Sequence, residues 1–414
     1  MEEKNSKKKE RKMRDSGIPW IGEVPEGWEF SKIKYHCTMK SGDNITALDI
    51  SDNGEYPVYG GNGLRGFYKI YNKNGNHILI GRQGALAGNV HLVNGKFWAT
   101  DHAVIVTLKN DVFINYFFRM LESMNLNQYA FDTAAQPGLS VSRIMNLNIV
   151  LPNLKEQHRI ADFLGSKCSE IDTLIENLRA RMESAKEYKK AVITEAVTKG
   201  LDKDAKMKDS GVEWIGEIPE GWKVVRFKHI ASIKSNLVQP DKYMKYPQIA
   251  PDNIEKDTGR LLSHQTVEES GVISGNHLFY RGQILYSKIR PNLNKLTVAP
   301  FDGLCSADMY PIESKLPTLF MVYSMLSTYF VSQVSLIIQD RVKMPKINQE
   351  ELGEIKVAVP SQQEMLTIAD YLDSKCSEID ALLQNYEYQI ATLEEYKKSL
   401  IYEYVTGKKE VPEA

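Results

Sequence analysis

Few residues in this chain of 414 stand at spacings that could do covalent chemistry, and each set lacks a partner that the chemistry needs. Gly61-Asn-Gly63-Leu-Arg-Gly66 matches the G-x-G-x-x-G pattern of a dinucleotide-binding turn. That turn works only when a helix follows at once and points its N-terminus at the pyrophosphate. Here Phe67-Tyr-Lys-Ile-Tyr71 follows and reads as a strand. The glycines are therefore expected to form a tight loop that lets backbone approach a ligand such as a phosphate. Glu354-Ile-Lys356 has the E-x-K spacing of a nuclease metal site but no convincing acidic partner upstream. The phosphate-cradling G-x-x-x-x-G-K-[S/T], the zinc-binding H-E-x-x-H and the nucleophile elbow G-x-S-x-G are all absent. So is the Asn/Asp-Pro-Pro-aromatic run that holds an amine for methyl transfer. Catalysis, a metal site and a bound cofactor are not expected of this chain by itself.

Bulk composition narrows the class further. Hydrophobic residues make up 42% and charged residues 25%, the balance of a globular protein able to bury two or three cores at this length. No run of about 18 apolar residues occurs, so no membrane span is expected. The charged start, Met1-Glu-Glu-Lys-Asn-Ser-Lys-Lys-Lys-Glu-Arg-Lys12, has no apolar segment of the kind a signal peptide needs. Cys37, Cys168, Cys305 and Cys376 lie far apart and form no C-x-x-C, which points to a reducing, cytoplasmic setting. The net charge of −1 conceals an uneven distribution. Residues 31–150 hold 11 Lys and Arg against 8 Asp and Glu, a balance of +3. Residues 224–358 hold 16 against 13, again +3, and residues 361–414 hold 5 against 11, or −6. Two mildly basic stretches permit contact with nucleic acid without requiring it.

The elements that must position any site are announced by repetition. Asp15-Ser-Gly-Ile-Pro-Trp-Ile-Gly-Glu-Val-Pro-Glu-Gly-Trp28 returns as Asp209-Ser-Gly-Val-Glu-Trp-Ile-Gly-Glu-Ile-Pro-Glu-Gly-Trp222. Ser166-Lys-Cys-Ser-Glu-Ile-Asp172 returns unchanged as Ser374-Lys-Cys-Ser-Glu-Ile-Asp380. Between these shared parts lie two stretches, about 30–150 and 224–358, with little likeness to each other. Apolar residues recur at alternating steps of four and three in two long segments. The first set is Leu164, Cys168, Ile171, Ile175, Leu178, Met182 and Ala185, and the second is Leu372, Cys376, Ile379, Leu383, Tyr386, Ile390 and Leu393. A spacing of about 3.5 residues is a coiled-coil seam, and about 40 helical residues span roughly 60 Å. Duplicated helices with matching seams pack most simply across a pseudo-two-fold axis, which makes them antiparallel. The tryptophan-rich entries are expected to pack each insert against this helical frame. Within the inserts, 56–59, 66–71, 77–80, 103–108, 283–287 and 295–299 read as strands, and 114–124 and 318–338 as helices.

The predicted class is α/β (α+β), with two compact domains joined by two long helices in an antiparallel coiled coil. The divisions are a basic tail at 1–12, a first insert domain at 13–152, a first helix at 153–200, a second insert domain at 201–360, a second helix at 361–407 and a tail at 408–414. A duplicated frame that carries two different inserts suits the reading of two different things at a fixed separation. A rival reading is a coiled-coil scaffold whose inserts bind protein or carbohydrate.

This layout resembles the specificity subunit of type I restriction-modification enzymes. The resemblance rests on the two entry motifs, Tyr56-Pro-Val-Tyr-Gly-Gly-Asn-Gly63, Ile80-Gly-Arg-Gln-Gly84, Gln136-Pro-Gly-Leu-Ser140, both Ser-Lys-Cys-Ser-Glu-Ile-Asp segments, residues 282–290 and Met344-Pro-Lys-Ile-Asn348. It covers about residues 13–407. It implies that each insert is a target-recognition domain reading one half of a bipartite, asymmetric site on double-stranded DNA. It also implies that the helices set the unread spacer and dock two methyltransferase subunits, which restriction/translocase subunits join. S-adenosylmethionine, ATP and magnesium then belong to those partners. Given DNA as ligand, polar and basic residues of the Gly-rich loops are the candidates for contact: Asn62, Arg65, Arg82, Gln83 and Arg143 in the first insert, and Lys288, Arg290, Asn292, Asn294, Lys295, Arg341 and Lys343 in the second. Arg and Lys suit guanine edges and phosphates, and Asn and Gln suit adenine.

Overall fold

The computed structural model describes residues 11–84, 87–109, 111–131 and 138–412. Most of the basic tail at 1–12, the Gln136-Pro137 part of one motif, and residues 413–414 lie outside the described residues. The chain divides into two compact units, one formed by Met1–Asn177 with Tyr388–Ala414 and the other by Leu178–Glu387. Helix α1, Leu154–Lys199, and helix α2, Gln362–Val405, each contribute one part to either unit.

In the first unit, the start of α1 packs antiparallel to the end of α2. Ile160, Ala161, Leu164, Cys168, Ile171 and Ile175 of α1 share a core with Leu400, Ile401, Tyr404 and Val405 of α2. In the second unit the roles exchange. Val192, Ile193, Ala196 and Val197 of α1 lie with Met365, Ile368, Ala369, Leu372 and Cys376 of α2. An offset of 208 residues relates Ile160 to Ile368, Leu164 to Leu372, Ile193 to Ile401 and Val197 to Val405, so the same face is buried twice. Burying one such Leu or Ile side chain contributes roughly 1.5–3 kcal/mol.

The expected seam is present but not uniform. Leu164, Cys168, Ile171, Ile175, Leu372, Cys376 and Ile379 are buried, while Leu178, Met182, Ala185, Leu383, Tyr386, Ile390 and Leu393 are half-buried. The apolar stripe also broadens toward the C-terminal end of each helix, where residues of the insert add a third layer. One step beyond Ala185 and one beyond Leu393, the four-three spacing places lysines, Lys189 and Lys397. Lys189 Nζ donates to both carboxylate oxygens of Asp380 at 2.7 Å. Lys397 Nζ does the same to Asp172 at 2.6 and 2.7 Å. Each acid closes one copy of the repeated Ser-Lys-Cys-Ser-Glu-Ile-Asp segment, and each lysine belongs to the other copy. A charged group at a seam position tolerates one alignment of the helices, the one that supplies its counter-charge.

Each entry motif forms a hairpin of identical register, Met13↔Pro25 in the first copy and Met207↔Pro219 in the second. Each hairpin closes on the end of a helix. Trp28 lies against Gly407 and Trp222 against Gly200. Both glycines end their helix in the left-handed region, at φ +72° and +75°, and a Cβ on Gly407 would stand 2.6 Å from Pro25, so only glycine fits there. Trp222 Nε1 donates to Glu364 at 3.0 Å. Tyr116 Oη donates at 3.0 Å to the Val405 carbonyl, one of the orphan acceptors that end α2.

The inserts share an architecture that their sequences do not display. In the first, Cys37–Ser41, Ala103–Leu108, His77–Gly81 and Val90–Val93 form an antiparallel sheet in that order. In the second, Ala231–Ile233, Met309–Ser314, Ile284–Ser287 and Leu296–Val298 repeat the topology. Each insert has a further sheet with one parallel pairing, Trp98↔Val58 in one and Gln248↔Leu304 in the other. A return strand, Asn148–Leu151 or Lys356–Val359, pairs with the strand that opened the insert and delivers the chain to the long helix. One expectation is corrected: 318–338 is two helices, Thr318–Leu326 and Thr328–Ile338, bent by 59°. Ser327 between them is extended, at φ −67° and ψ 154°, and precedes the second helix as its cap residue. Apolar composition on both sides of this break hid it. No single helix among the described residues is long and apolar enough to cross a membrane.

If the crossed pairs fix the alignment, Asp172→Lys, which sets two lysines face to face, should destabilise the protein by about 1–2 kcal/mol. That is less than the ~3–5 kcal/mol for breaking a buried pair, because the carboxylate is half exposed. Adding Lys397→Asp should restore most of the loss in thermal denaturation. A double variant as unstable as the single one would show that the pair sets nothing.

Candidate nucleic-acid interface

The candidate residues of the first unit converge through backbone contacts between loops. A Cβ on Gly61 would stand 3.2 Å from the His102 carbonyl and 3.4 Å from that of Gln83, so the turn bearing Asn62 lies directly on the loop bearing Arg82 and Gln83. The Arg82 amide donates to His102 O at 2.9 Å, and the Leu139 amide donates to Arg82 O at 2.8 Å. Gln83 bridges Gly138, which brings in the segment leading to Ser140, the side-chain cap of the short helix Val141–Met145 that carries Arg143. Asn62, Arg65, Arg82, Gln83 and Arg143 are all exposed. Asn62 Oδ1 accepts from Asn89 at 3.2 Å, Arg82 donates to Ser41 Oγ at 3.3 Å, and the Arg143 guanidinium lies 5.5 Å from the centroid of the Tyr129 ring. Of the G-x-G-x-x-G glycines, Gly61 sits in the turn while Gly63 and Gly66 belong to the strand Gly63–Tyr68, and the helix that a dinucleotide turn needs does not follow.

In the second unit, two segments are knitted together, residues 288–295 and 341–347. The Arg290 amide donates to Pro345 O at 2.8 Å, the Ile347 amide to Lys288 O at 3.0 Å, and Ile289 bridges Lys346. Arg290, Asn294 and Met344 all hold positive φ, near +43° to +44°. Such strain in non-glycine residues costs about 1–3 kcal/mol each and clusters at functional sites. Arg290, Asn292 and Lys343 are exposed. Lys288 Nζ lies 5.3 Å from the centroid of the Tyr310 ring. Arg341 is held by the Glu351 carboxylate and the Lys346 carbonyl. Lys295 donates to Pro251 O at 2.8 Å, with Asp252 at 3.6 Å.

Asn294 is a correction. It is 1% exposed and its amide donates inward to Met325 O at 3.1 Å, so it shapes the loop and presents nothing to a ligand. Its place in an Asn-x-Asn run beside Lys295 made it look like a reader, and burial is what the sequence did not reveal. Lys346, ion-paired to Asp308 at 3.1 Å, belongs to the same surface and was missed, although it lies inside a quoted motif. Glu354 of the E-x-K tripeptide pairs with Arg226 and Lys228. Among the described residues, no three His, Cys, Asp or Glu side chains converge to hold a metal ion. All four cysteines are buried free thiols, and burial pushes Cys37 up to about 12 and Cys376 up to about 11.

A model of the type I restriction modification DNA specificity domain matches residues 25–184. The chain is 34% identical over 267 residues to the EcoDI specificity subunit of Escherichia coli, a match covering 60% of each chain. It is 28% identical over 423 residues to the MjaVIII specificity subunit of Methanocaldococcus jannaschii, covering 93% of each. It thus spans less than two thirds of the first relative and nearly all of the second. A chain from a structural study of the complex assembly and conformational transition of a type I R-M system matches at a TM-score of 0.65 and 15% identity, covering 93% of this chain and 99% of that one. At that identity the likeness speaks for the fold.

Two histidines make these units sensitive to acid. Burial holds His91 below the ordinary value of 6.5, opposed by Glu122, and burial followed by the charge of Lys288 holds His277 below it. His91 Nε2 and His277 Nδ1 are buried without partners. The unfolded chain therefore takes up protons before the folded one as pH falls past 6.5, so stability is retained above that value and lost below it. Thermal denaturation between pH 7.5 and 5 should show this decline, and His91→Gln with His277→Gln should flatten it. An equal decline in that variant would assign the acid sensitivity elsewhere.

Proposed function

We propose, from the premise that this chain belongs to the family of type I restriction-modification DNA specificity subunits, that each of its units reads one half of a bipartite, asymmetric site on double-stranded DNA. The observation that carries the reading is a frame that buries equivalent residues in two copies around inserts that share topology and little sequence. A repeated frame suits repeated partners, and divergent loops suit two different half-sites. The long helices act as the ruler for the unread spacer, α1 alone running 46 residues, or about 69 Å at 1.5 Å per residue.

The chemistry of the loops fits this role. Exposed Arg65, Arg82, Arg143, Arg290 and Lys343 supply charge for phosphates and guanine edges, and Asn62, Gln83 and Asn292 supply paired donors and acceptors for adenine. Two methyltransferase subunits would dock on the helical frame, and restriction/translocase subunits would join that core. S-adenosylmethionine, ATP and magnesium would be held by those partners, leaving this chain a non-catalytic reader at work in the cytoplasm.

Co-expression with the cognate methyltransferase subunit in a methylation-free host, followed by long-read mapping of modified bases, should yield a two-part motif with a fixed unread gap. A complex that forms yet methylates no such motif would overturn the reading. Arg290→Ala should relax or abolish recognition in one half of that motif only, costing about 1–3 kcal/mol if it reads a base. An unchanged motif would remove Arg290 from the readers.

A further inference from the structure

The loop from Asp340 to Met344 leaves an aliphatic side chain in water between charged neighbours. Val342 is 95% exposed, flanked by Arg341 and Lys343. The loop is not slack at its base. Arg341 is tied to Glu351 and to the Lys346 carbonyl, Met344 is held at φ +44°, and the Pro345 carbonyl accepts from the Arg290 amide at 2.8 Å. Arg290 and Lys343 carry no side-chain partner among the described residues. The result is an isopropyl group on a braced tip with two unpaired cations on the same knitted pair of loops, and one exposed carboxylate, Asp340, at its start.

Two other aliphatic side chains stand as far out, Leu48 at 98% and Ile273 at 91%. Leu48 is followed by Asp49 and Asp52, and Ile273 lies among Ser270, Gly271 and Ser274. Neither has a cation beside it in sequence. Of these three, Val342 alone combines apolar exposure with free cations on the same pair of loops.

We propose that Val342 is a specificity-determining residue that packs on the C5-methyl group of a thymine in the half-site read by the second unit. This rests on the DNA-reading function proposed above. In the major groove, thymine alone among the four bases presents a methyl group, and small apolar side chains discriminate it by contact. Lys343 holds the backbone while the valine methyls meet the thymine beside the base that Arg290 reads. A β-branched side chain suits the task, since its χ1 is stiff and its methyl groups are already placed.

The test uses the full chain in its methyltransferase complex and the DNA site mapped for it. Each thymine of that half-site is replaced in turn by deoxyuridine, which removes only the methyl group. The wild-type complex should bind about 3–10-fold more weakly at one position. Val342→Ser, which leaves a hydroxyl and no methyl group, should bind the thymine site more weakly by a similar factor and respond little to deoxyuridine there. Val342→Ala should give an intermediate response, and all three proteins should keep the same salt dependence, because the phosphate contacts are untouched. If every deoxyuridine is tolerated by wild type, or costs wild type and Val342→Ser alike, the assignment of Val342 is overturned while the DNA-reading function stands. If the wild-type complex binds no site in preference to random DNA, both fall together.

Discussion

Two lysines standing where a coiled-coil seam calls for apolar side chains set the terms for the rest of this protein. Lys189 meets Asp380 and Lys397 meets Asp172, each at 2.6–2.7 Å, and 208 residues separate both the two lysines and the two acids. Each repeat thus supplies an acid to the other and receives one from it. Leucine at either position would pack in several alignments, whereas an ammonium among buried neighbours accepts only the one that brings its carboxylate. Once the alignment is fixed, the apolar residues around it pair with equivalents of themselves. The glycines that end the helices then meet the entry tryptophans, and each insert is delivered to its unit by one strand in and one strand out.

The long elements were legible because their signals are periodic and doubled. Residues such as Leu164 and Leu372 repeat at fixed steps, and a copied Ser-Lys-Cys-Ser-Glu-Ile-Asp is hard to mistake for chance. The role of its final Asp was not legible, because its partner lies some two hundred residues away in the other copy. The short strands 77–80 and 103–108 were readable from runs of Ile, Val and Leu. Those at Cys37–Ser41 and Lys96–Ala99 were not, since alternation fails in a strand whose residues are set by what lies on either face. The break at Ser327 escaped for a related reason: both flanking helices are core helices, apolar around most of their circumference.

The polar loops of the candidate interface were legible in composition but not in detail. Composition placed Arg and Lys in glycine-rich loops, and the fold assembles those loops from segments distant in sequence, such as 61–62 with 82–83 and 138–143, or 288–295 with 341–347. Which polar residue faces outward depends on backbone conformation, and Asn292 and Asn294 show the difference. Two residues apart, one is exposed and the other buried, because the left-handed turn at Asn294 directs its amide into the core. An apolar residue such as Val342 carries no signal for contact until its exposure is known.

The central claim is that the helical frame sets separation while the inserts set sequence. Matched insertion of four residues after Glu183 in α1 and after Tyr386 in α2 tests it most directly, because the added turn is about 6 Å and leaves both crossed Lys–Asp pairs on their own helical turns. Mapping methylation by the variant complex should give the same two half-sites with a spacer longer by about two base pairs. An altered half-site beside an unchanged spacer would contradict the account.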